Sequence, residues 1–282
     1  MVKIISDSTC DLSQALIEKY DITILPLHIL LWDKEYRDGA DLTPEEIFAW
    51  SDENKTTPKT SAPSLVEAVE CLRSYVEAKT EVICFSISAS MSTSGNVMRL
   101  AAEELEAGDL VTVIDSANLS TGIGHLVIEA ALMAQEGKDA QTIAQTIEEL
   151  KPRVRASFVV DTLTYLYRGG RCSAVAAMAG GVLKLHPKIV VENGAMDATK
   201  KYRGKLDNVI LSYTKDMEEA LKAAKPDRVF ITHSGCDKAT VDKVREYLKG
   251  LNHFNEIIET RAGGVISSHC GPGTLGVLFI AQ

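Results

Sequence analysis

The chain has 282 residues, a formal net charge of −9 and a hydrophobic content of 45%. The acidic balance argues against a nucleic-acid-binding protein, which needs a basic surface to replace phosphate counterions, and against recruitment to anionic lipid by charge. No stretch approaches the roughly 20 consecutive apolar residues that span a bilayer, and residues 1–7 contain no apolar signal-peptide run. We therefore expect a soluble, cytoplasmic protein without stable membrane insertion.

Short apolar runs alternate with amphipathic segments through the first half of the chain. Apolar runs predict strands at residues 3–6, 22–31, 81–86 and 110–115. The second of these contains Pro26, which is typical of an edge strand or a bent one. Helical periodicity predicts helices at residues 11–20, 96–107, 121–135 and 140–150.

Two further helices are predicted from their first residues. Thr43 and Glu46 form a capping box with Pro44 in the first turn, and Ser64 and Glu67 form a second box. In the helix after the second box, apolar residues recur at helical spacing and predict one buried face. These residues are Leu65, Val69, Leu72 and Val76.

The charged segment at residues 151–155 separates two similar halves, and we predict two domains, residues 1–155 and 156–282. In the second half, strands are predicted at residues 156–160, 188–191 and 229–233, and helices at 162–167, 173–183 and 238–249. Three more apolar runs follow at residues 257–260, 264–267 and 276–280. Alternating strands and helices predict two α/β domains with largely parallel sheets.

The cysteines and histidines do not form a recognisable metal motif. None of the six cysteines lies within three residues of another, and neither HExxH nor His-x-x-x-His occurs. We expect no metal site. A chain of this size in a reducing compartment is also expected to keep its cysteines as free thiols.

Hydroxyl-rich loops are the candidate binding regions. Ligands of open α/β sheets bind beyond the carboxyl ends of the strands, and the segments at residues 7–11, 60–64, 88–96 and 267–274 are rich in Ser and Thr. Hydroxyls, a histidine and amides at a helix start all favour a bound carboxylate or phosphate. Caps and turns are the commoner explanation for any single hydroxyl of this kind.

Enzymatic alternatives remain open at this point. Ser94, His269 and Asp7 are the candidates for a serine-hydrolase triad, although no Gly-x-Ser-x-Gly elbow occurs. Cys270 beside His269 is a weaker candidate for a nucleophile. The glycine motifs of nucleotide-binding enzymes are absent, and no cofactor is expected.

Five short motifs, in order along the whole chain, resemble the DegV family. They lie at residues 6–12, 60–64, 94–95, 168–171 and 269–273. The resemblance implies a two-domain bacterial protein that holds one long-chain fatty acid between its domains and has no catalytic activity of its own. It also implies an ATP-dependent fatty acid kinase as partner, which phosphorylates the presented carboxylate to an acyl phosphate for phospholipid synthesis.

The resemblance also implies which residues contact the fatty-acid carboxylate. These residues are Thr60, Ser61, Ser94, Gly95, His269 and Thr274. It places kinase docking on Arg203 within the basic run at residues 200–205, a run that could equally be an ordinary solvated surface. Two positions depart from the family pattern: Asn96 stands where the family usually has Thr, and His186 where a Lys is common.

The acyl tail would need a dry apolar tunnel. Small and flexible residues between positions 175 and 183 are candidates for its lining, although they fit a closely packed buried helix equally well. These candidates are Val175, Ala176, Ala177, Met178, Ala179, Val182 and Leu183. A carrier of another small acid, such as an isoprenoid or a short-chain acid, is a further alternative to the fatty-acid function.

Overall fold

The computed structural model describes residues 1–172 and 185–282 of the chain. The helix predicted at residues 173–183 and the tunnel candidates from Val175 to Leu183 lie outside these described residues. Within the described ranges, no helix combines the length and apolar character needed to cross a membrane.

Strands come from all parts of the described chain. They are β1 (Lys3–Asp7), β2 (Ile22–Leu25), β3 (His28–Leu31), β4 (Lys34–Arg37), β5 (Lys59–Ser61), β6 (Val82–Ser86), β7 (Val111–Asp115), β8 (Val154–Val159), β9 (Leu185–Glu192), β10 (Ala195–Arg203), β11 (Arg228–Ser234), β12 (Glu256–Arg261) and β13 (Thr274–Ile280). They form a four-stranded sheet, β2-β1-β6-β7, a three-stranded sheet, β4-β3-β5, and a six-stranded sheet, β10-β9-β8-β13-β11-β12.

Helices alternate with these strands. They are α1 (Gln14–Lys19), α2 (Pro44–Asn54), α3 (Leu65–Glu77), α4 (Ser94–Glu104), α5 (Thr121–Gln135), α6 (Ala140–Leu150), α7 (Thr164–Gly169), α8 (Leu206–Lys215), α9 (Glu218–Lys222), α10 (Lys238–Gly250) and α11 (Gly264–Cys270). The mixed α/β architecture confirms the predicted fold class, and α5 and α6 have the predicted bounds.

Local sequence signals explain where several helices begin. Both predicted capping boxes are present: the Thr43 hydroxyl accepts from the backbone of Glu46, and Ser64 does the same for Glu67. Reciprocal bonds of this kind satisfy amides that have no intrahelical acceptor. Leu65, predicted for the buried face of α3, is instead 41% exposed, because this face begins at Ala68.

The run predicted as one strand at residues 22–31 forms two strands in different sheets. β2 pairs with β1 in parallel, and β3 pairs with β4 and β5 in antiparallel fashion. Pro26 lies between the two strands; it has no amide hydrogen to donate to a ladder. The break creates the small sheet that carries Thr60 and Ser61.

The parallel arrangement holds for one of the two large sheets. All pairings in the four-stranded sheet are parallel, whereas in the six-stranded sheet only β11 and β12 run parallel. The prediction of largely parallel sheets is therefore wrong for the second half. One of the four antiparallel pairings is the hairpin of β9 and β10, whose two-residue turn places Asn193 and Gly194 at φ of 50° and 81°.

The apolar run at residues 264–267 is part of a helix. Gly264 begins α11, and every residue from Gly264 to Ser268 is buried. A short apolar run does not distinguish a buried helix from a strand, because both bury all sides.

Helix α5 packs between the four-stranded and six-stranded sheets. It contacts β1 and β6 on one side and β8 and β13 on the other, and eleven of its fifteen residues are buried. One apolar cluster therefore includes Ile83 of the first sheet, Ile123 of the helix and Phe158 of the second sheet. The division of the chain into residues 1–155 and 156–282 stays a prediction.

Candidate functional site

A cavity of about 410 Å³ lies where the three-stranded sheet, the loop after β6, strand β10 and helix α11 meet. Its volume is in the range of small-molecule binding pockets. Most of its walls are apolar. They include Leu27, Ile87, Met91, Leu119, Met196 and Ile266.

Thr60 and His269 form a hydrogen-bonded pair in the cavity wall. Thr60 Oγ1 and His269 Nε2 are 2.8 Å apart, although the residues are 209 positions apart in sequence. Thr60 lies on β5, paired with Ile29 of β3, and His269 lies in the last turn of α11. Ser61, the next residue on β5, also lines the cavity.

His269 is neutral at physiological pH. Burial and, to a smaller extent, the nearby charge of Arg171 lower the pKa of His269 to about 4. The Nδ1 atom is buried and has no hydrogen-bond partner within residues 1–172 and 185–282. The ring therefore has hydrogen-bonding capacity that this part of the protein does not use.

The motif at residues 168–171 shapes this end of the cavity. Gly169 lies against the His269 ring so closely that a Cβ atom there would be 2.3 Å from Nδ1. Gly170 ends α7 in the left-handed region at φ 66°. Arg171 then reaches the cavity, and its Nη1 donates to the Gly169 carbonyl at 2.7 Å.

Arg171 is a site residue that the sequence reasoning missed. Among the described lining residues it is the only cation, whereas we predicted a site built from neutral donors. Arg171 belongs to the family motif at residues 168–171, which contains two arginines. The sequence of this motif does not show which of the two arginines faces the cavity.

Ser94 and Gly95 lie behind the cavity wall and do not line it. Ser92 and Thr93 line the cavity instead, and Ser94 and Gly95 are buried in the first turn of α4. A Cβ atom at Gly95 would be 2.5 Å from the Ser86 hydroxyl oxygen, so no side chain fits there. Amides in the first turn of a helix have no intrahelical acceptor, and the Ser94 amide donates instead to the Ser92 hydroxyl at 3.2 Å.

The hydrogen bonds that a Ser94–His269–Asp7 triad requires are not formed. His269 Nε2 bonds Thr60. Asp7 accepts hydrogen bonds from Thr9 and from the amide of Ile87. The Ser94 hydroxyl lies beside Asp7 but makes no hydrogen bond of ordinary geometry with the residues that the structure describes.

The cysteines do not provide a nucleophile in the cavity either. Burial raises the pKa of Cys270 to about 12, so its thiol stays protonated at neutral pH. Cys10, Cys71, Cys84, Cys236 and Cys270 are free thiols, as predicted. In the described part of the chain, no three His, Cys, Asp or Glu side chains are grouped in a way that could hold a metal ion.

Two other predicted site residues lie apart from Thr60 and His269. Thr274 lines a small void of about 20 Å³, which shares Leu119, Ile266 and Cys270 with the main cavity. Its hydroxyl donates to the Cys270 carbonyl at 2.9 Å. Arg203 is the exposed last residue of β10 and does not line the cavity.

The two residues that depart from the family pattern, Asn96 and His186, both lie outside the cavity lining. His186 is buried away from the cavity lining, with its ring nitrogens 3.2 Å from the Val160 carbonyl and 3.3 Å from the Gly204 carbonyl. Asn96 is exposed in the first turn of α4. Neither side chain lines the cavity.

The hairpin of β9 and β10 is fixed to the loop after β6. Ser88 Oγ donates to the Gly194 carbonyl at 2.6 Å, and Ser90 donates to the same oxygen. This contact holds β10, which carries Met196, against the part of the cavity wall that the first half of the chain supplies. The result is a mainly apolar cavity with a polar, cation-bearing end, an arrangement that suits an amphipathic acid.

Comparisons with known proteins agree with this description. The sequence pattern of the family described as "Uncharacterised protein, DegV family" matches residues 1–282. A DegV domain-containing protein of Clostridium acetobutylicum is 32% identical over 283 residues, covering 100% of this chain and 99% of the relative.

Solved structures show the same fold. A DegV family protein from Thermus thermophilus, described by its fatty acid binding, superimposes with a TM-score of 0.91 at 30% identity, covering 100% of this chain and 99% of that one. A stearic-acid-binding protein from Eubacterium ventriosum superimposes with a TM-score of 0.87 at 29% identity, covering 100% and 98% of the two chains.

Proposed function

This chain belongs to the DegV family, and from that premise we propose that it binds one long-chain fatty acid and presents the carboxylate to a separate ATP-dependent kinase. The kinase forms the acyl phosphate, which feeds phospholipid synthesis; the chain itself is a cytoplasmic binding subunit without catalytic activity or cofactor. The observation that carries the proposal is the cavity of about 410 Å³ with an apolar body and a polar end at Thr60, His269 and Arg171.

The apolar walls account for the affinity of the tail. Burying roughly fifteen methylenes at ~0.8 kcal/mol each contributes ~12 kcal/mol before the costs of association. Met91 and Met196 adapt to a flexible chain, because methionine is unbranched and polarisable. A tail in this cavity would touch both halves of the protein.

The polar end accounts for the choice of an acid. A carboxylate taken out of water needs several hydrogen-bond donors, and Thr60, Ser61 and the His269 ring supply them in one wall. Arg171 adds a positive charge but is itself exposed at the cavity. Gly95 contributes to the proposed site through the amide end of α4, and Ser94 contributes by holding the Ser92 hydroxyl in the cavity wall. Thr274 contributes through its bond to the backbone beside His269.

Arg203 is the proposed kinase-docking residue. It is exposed at the end of an edge strand, and no acidic side chain pairs with it among the residues of the described ranges. An arginine in this state can pair with an acidic group of a partner. Its place outside the cavity separates docking from ligand binding.

Native mass spectrometry of the protein purified from a bacterial host tests the binding function. We expect a mass increment equal to a long-chain fatty acid, and saturable binding of oleate after the lipid is removed. Absence of both results would overturn the proposal. A non-lipid adduct would indicate a carrier of another small acid, and ester turnover lost in Ser94→Ala would indicate a hydrolase.

The kinase role needs its own measurement. Arg203→Ala should leave the oleate dissociation constant unchanged and lower the rate of acyl phosphate formation by a bacterial fatty acid kinase at least fivefold. Lys201→Ala, an exposed change on the same strand, is the matched control. Equal rates for Arg203→Ala and the control would contradict docking at Arg203.

A further inference from the structure

Two buried aspartates hold the first residues of helix α11. Asp38 Oδ1 accepts hydrogen bonds from the amides of Gly264 at 2.7 Å and Val265 at 3.3 Å. Its other oxygen accepts from the Ser8 hydroxyl at 2.7 Å. Ser8 in turn accepts from the amide of Leu27, a residue of the cavity wall, at 3.1 Å.

Asp11 holds the residue before the helix. Its Oδ1 accepts from the Gly263 amide at 2.8 Å, and its Oδ2 accepts from the Ser120 hydroxyl at 2.5 Å. A Cβ atom at Gly263 would be 3.2 Å from an oxygen of Asp11 and 3.2 Å from an oxygen of Asp38. Both carboxyl groups therefore lie beside Gly263, where the absence of a side chain allows them to approach the backbone.

The helix that starts at this point carries part of the cavity. Val265, Ile266, His269 and Cys270 all line it. His269 lies five residues after Gly264, about 7.5 Å along the helix axis. The far end of α11 is tied to Thr60 through the His269 ring, so a shift at the helix start changes the distance between His269 and Thr60.

We propose that Asp38, together with Asp11, is a positioning residue for ligand binding: it fixes the start of α11 and thereby holds the His269 ring and the adjoining cavity wall in the binding geometry. This inference rests on the proposed function, because it assigns His269 to the carboxylate. Hydrogen bonds to two successive amides set both the position and the direction of a helix start, whereas apolar packing alone leaves its direction freer.

The charged and titratable groups around this point are few. Asp11 interacts with both Asp7 and Asp38, and the Cys270 thiol lies near Asp11. The partners of the two positioning carboxyl groups are amides and hydroxyls, and no cation pairs with them within residues 1–172 and 185–282. Their effect on α11 therefore acts through hydrogen bonds, and an acceptor without charge should preserve most of it.

The test compares two variants at one position. Asp38→Ala removes the acceptor and should weaken oleate binding about tenfold, whereas Asp38→Asn keeps an oxygen for the Gly264 amide and should stay within threefold of wild type. Asp33→Ala, an exposed acidic residue at the turn between β3 and β4, is the control and should change nothing.

A second readout separates positioning from general stability. The ring signals of His269 in the ligand-free protein, assigned by NMR with the help of His269→Gln, should shift and broaden in Asp38→Ala and return in Asp38→Asn. Unchanged ring signals and oleate affinity in Asp38→Ala, even with a lower Tm, would overturn the inference. If Asp38→Ala does not fold, Asp11→Ala takes its place because it removes the acceptor of the Gly263 amide, and unchanged signals and affinity there would overturn the inference as well.

The outcome is distinguishable from failure of the proposed function. Wild-type protein that binds no oleate refutes the function, while the His269 ring signals still report whether Asp38 positions the helix. Wild-type binding that Asp38→Ala does not affect refutes the positioning role and leaves the function intact.

Discussion

Two polar clusters lie at opposite ends of helix α11, and they use their hydrogen-bonding capacity differently. The cavity cluster consists of Thr60, His269 and Arg171, which line the cavity. The acid cluster consists of Asp7, Asp11 and Asp38, which are all buried and accept bonds from amides and hydroxyls. In the cavity cluster, His269 Nδ1 has no partner within the described residues.

The difference shows that polar groups near one site can either stabilise the fold or bind a ligand. A buried polar group whose bonds are all made inside the protein stabilises one arrangement of the chain. A polar side chain in a cavity wall can exchange a hydrogen bond inside the protein for one to a ligand. The acid cluster is therefore expected to govern stability and geometry, and the cavity cluster to govern affinity.

The largest expected effect concerns the acid cluster and pH. Burial raises the pKa of Asp11 from 3.8 to about 8, so the native state holds a proton that the unfolded chain releases. Wild type should lose stability between about pH 4 and pH 8, by up to about 1.4 kcal/mol per pH unit. Asp11→Asn, which has no proton to lose, should make this loss smaller, and the remainder comes from Asp7 and Asp38, whose pKa values burial also raises. Urea unfolding at several pH values measures the difference; parallel curves would contradict the assignment.

A smaller but still large effect is expected at Gly169. The Cβ of Gly169→Ala would lie 2.3 Å from His269 Nδ1, so the ring must leave its place and its hydrogen bond to Thr60 is disturbed. We expect oleate affinity to fall about 30-fold, which corresponds to roughly 2 kcal/mol. Gly108→Ala, where a Cβ meets nothing within 4 Å, is the control in the same calorimetric titration; equal affinities would show that the ring does not contact the ligand.

Removing one hydroxyl should have a moderate effect. Thr60→Val keeps the shape of the side chain and removes its hydrogen bond to His269. The loss of a hydrogen bond of this kind costs about 1 kcal/mol, or roughly fivefold in the oleate dissociation constant. Thr112→Val, on an exposed position of β7, should not affect binding. An unchanged dissociation constant in Thr60→Val would remove Thr60 from the site.

The smallest effect is expected at Arg171. Its side chain is exposed, so salt screens its attraction for a carboxylate. Arg171→Gln should weaken oleate binding about twofold at low ionic strength and less at high ionic strength. A loss of more than tenfold that does not depend on salt would instead show a buried, direct contact and would move Arg171 to the centre of the cavity cluster.

Local signals made much of the fold predictable. The capping boxes at Thr43 and Ser64 place two helix starts correctly because their bonds lie within four residues. Helix α5 was predictable from its helical periodicity and mainly apolar composition. The dipeptide Asn193–Gly194 is a local signal for the hairpin of β9 and β10. The other three antiparallel pairings of the second sheet join strands distant in sequence and have no such local signal.

The site was predictable in its chemistry and less so in its geometry. The hydroxyls and His269 were identified, and Thr60 and His269 do meet. Which side of a helix turn faces the cavity depends on packing between distant segments, so Ser92 and Thr93 line it where Ser94 and Gly95 were expected. The role of Asp38 had no local signal, because its partners are 226 and 227 positions away.

The position of helix α5 limits how the two halves of the gene can be separated or recombined. Its buried residues face strands from both ends of the chain, so neither half carries a complete cover for it. A gene fragment ending near residue 155 would expose the side that β8 and β13 otherwise shield. An unrelated second half would have to supply new apolar contacts for the side of α5 that faces β8 and β13. Recombination between the halves is therefore disfavoured.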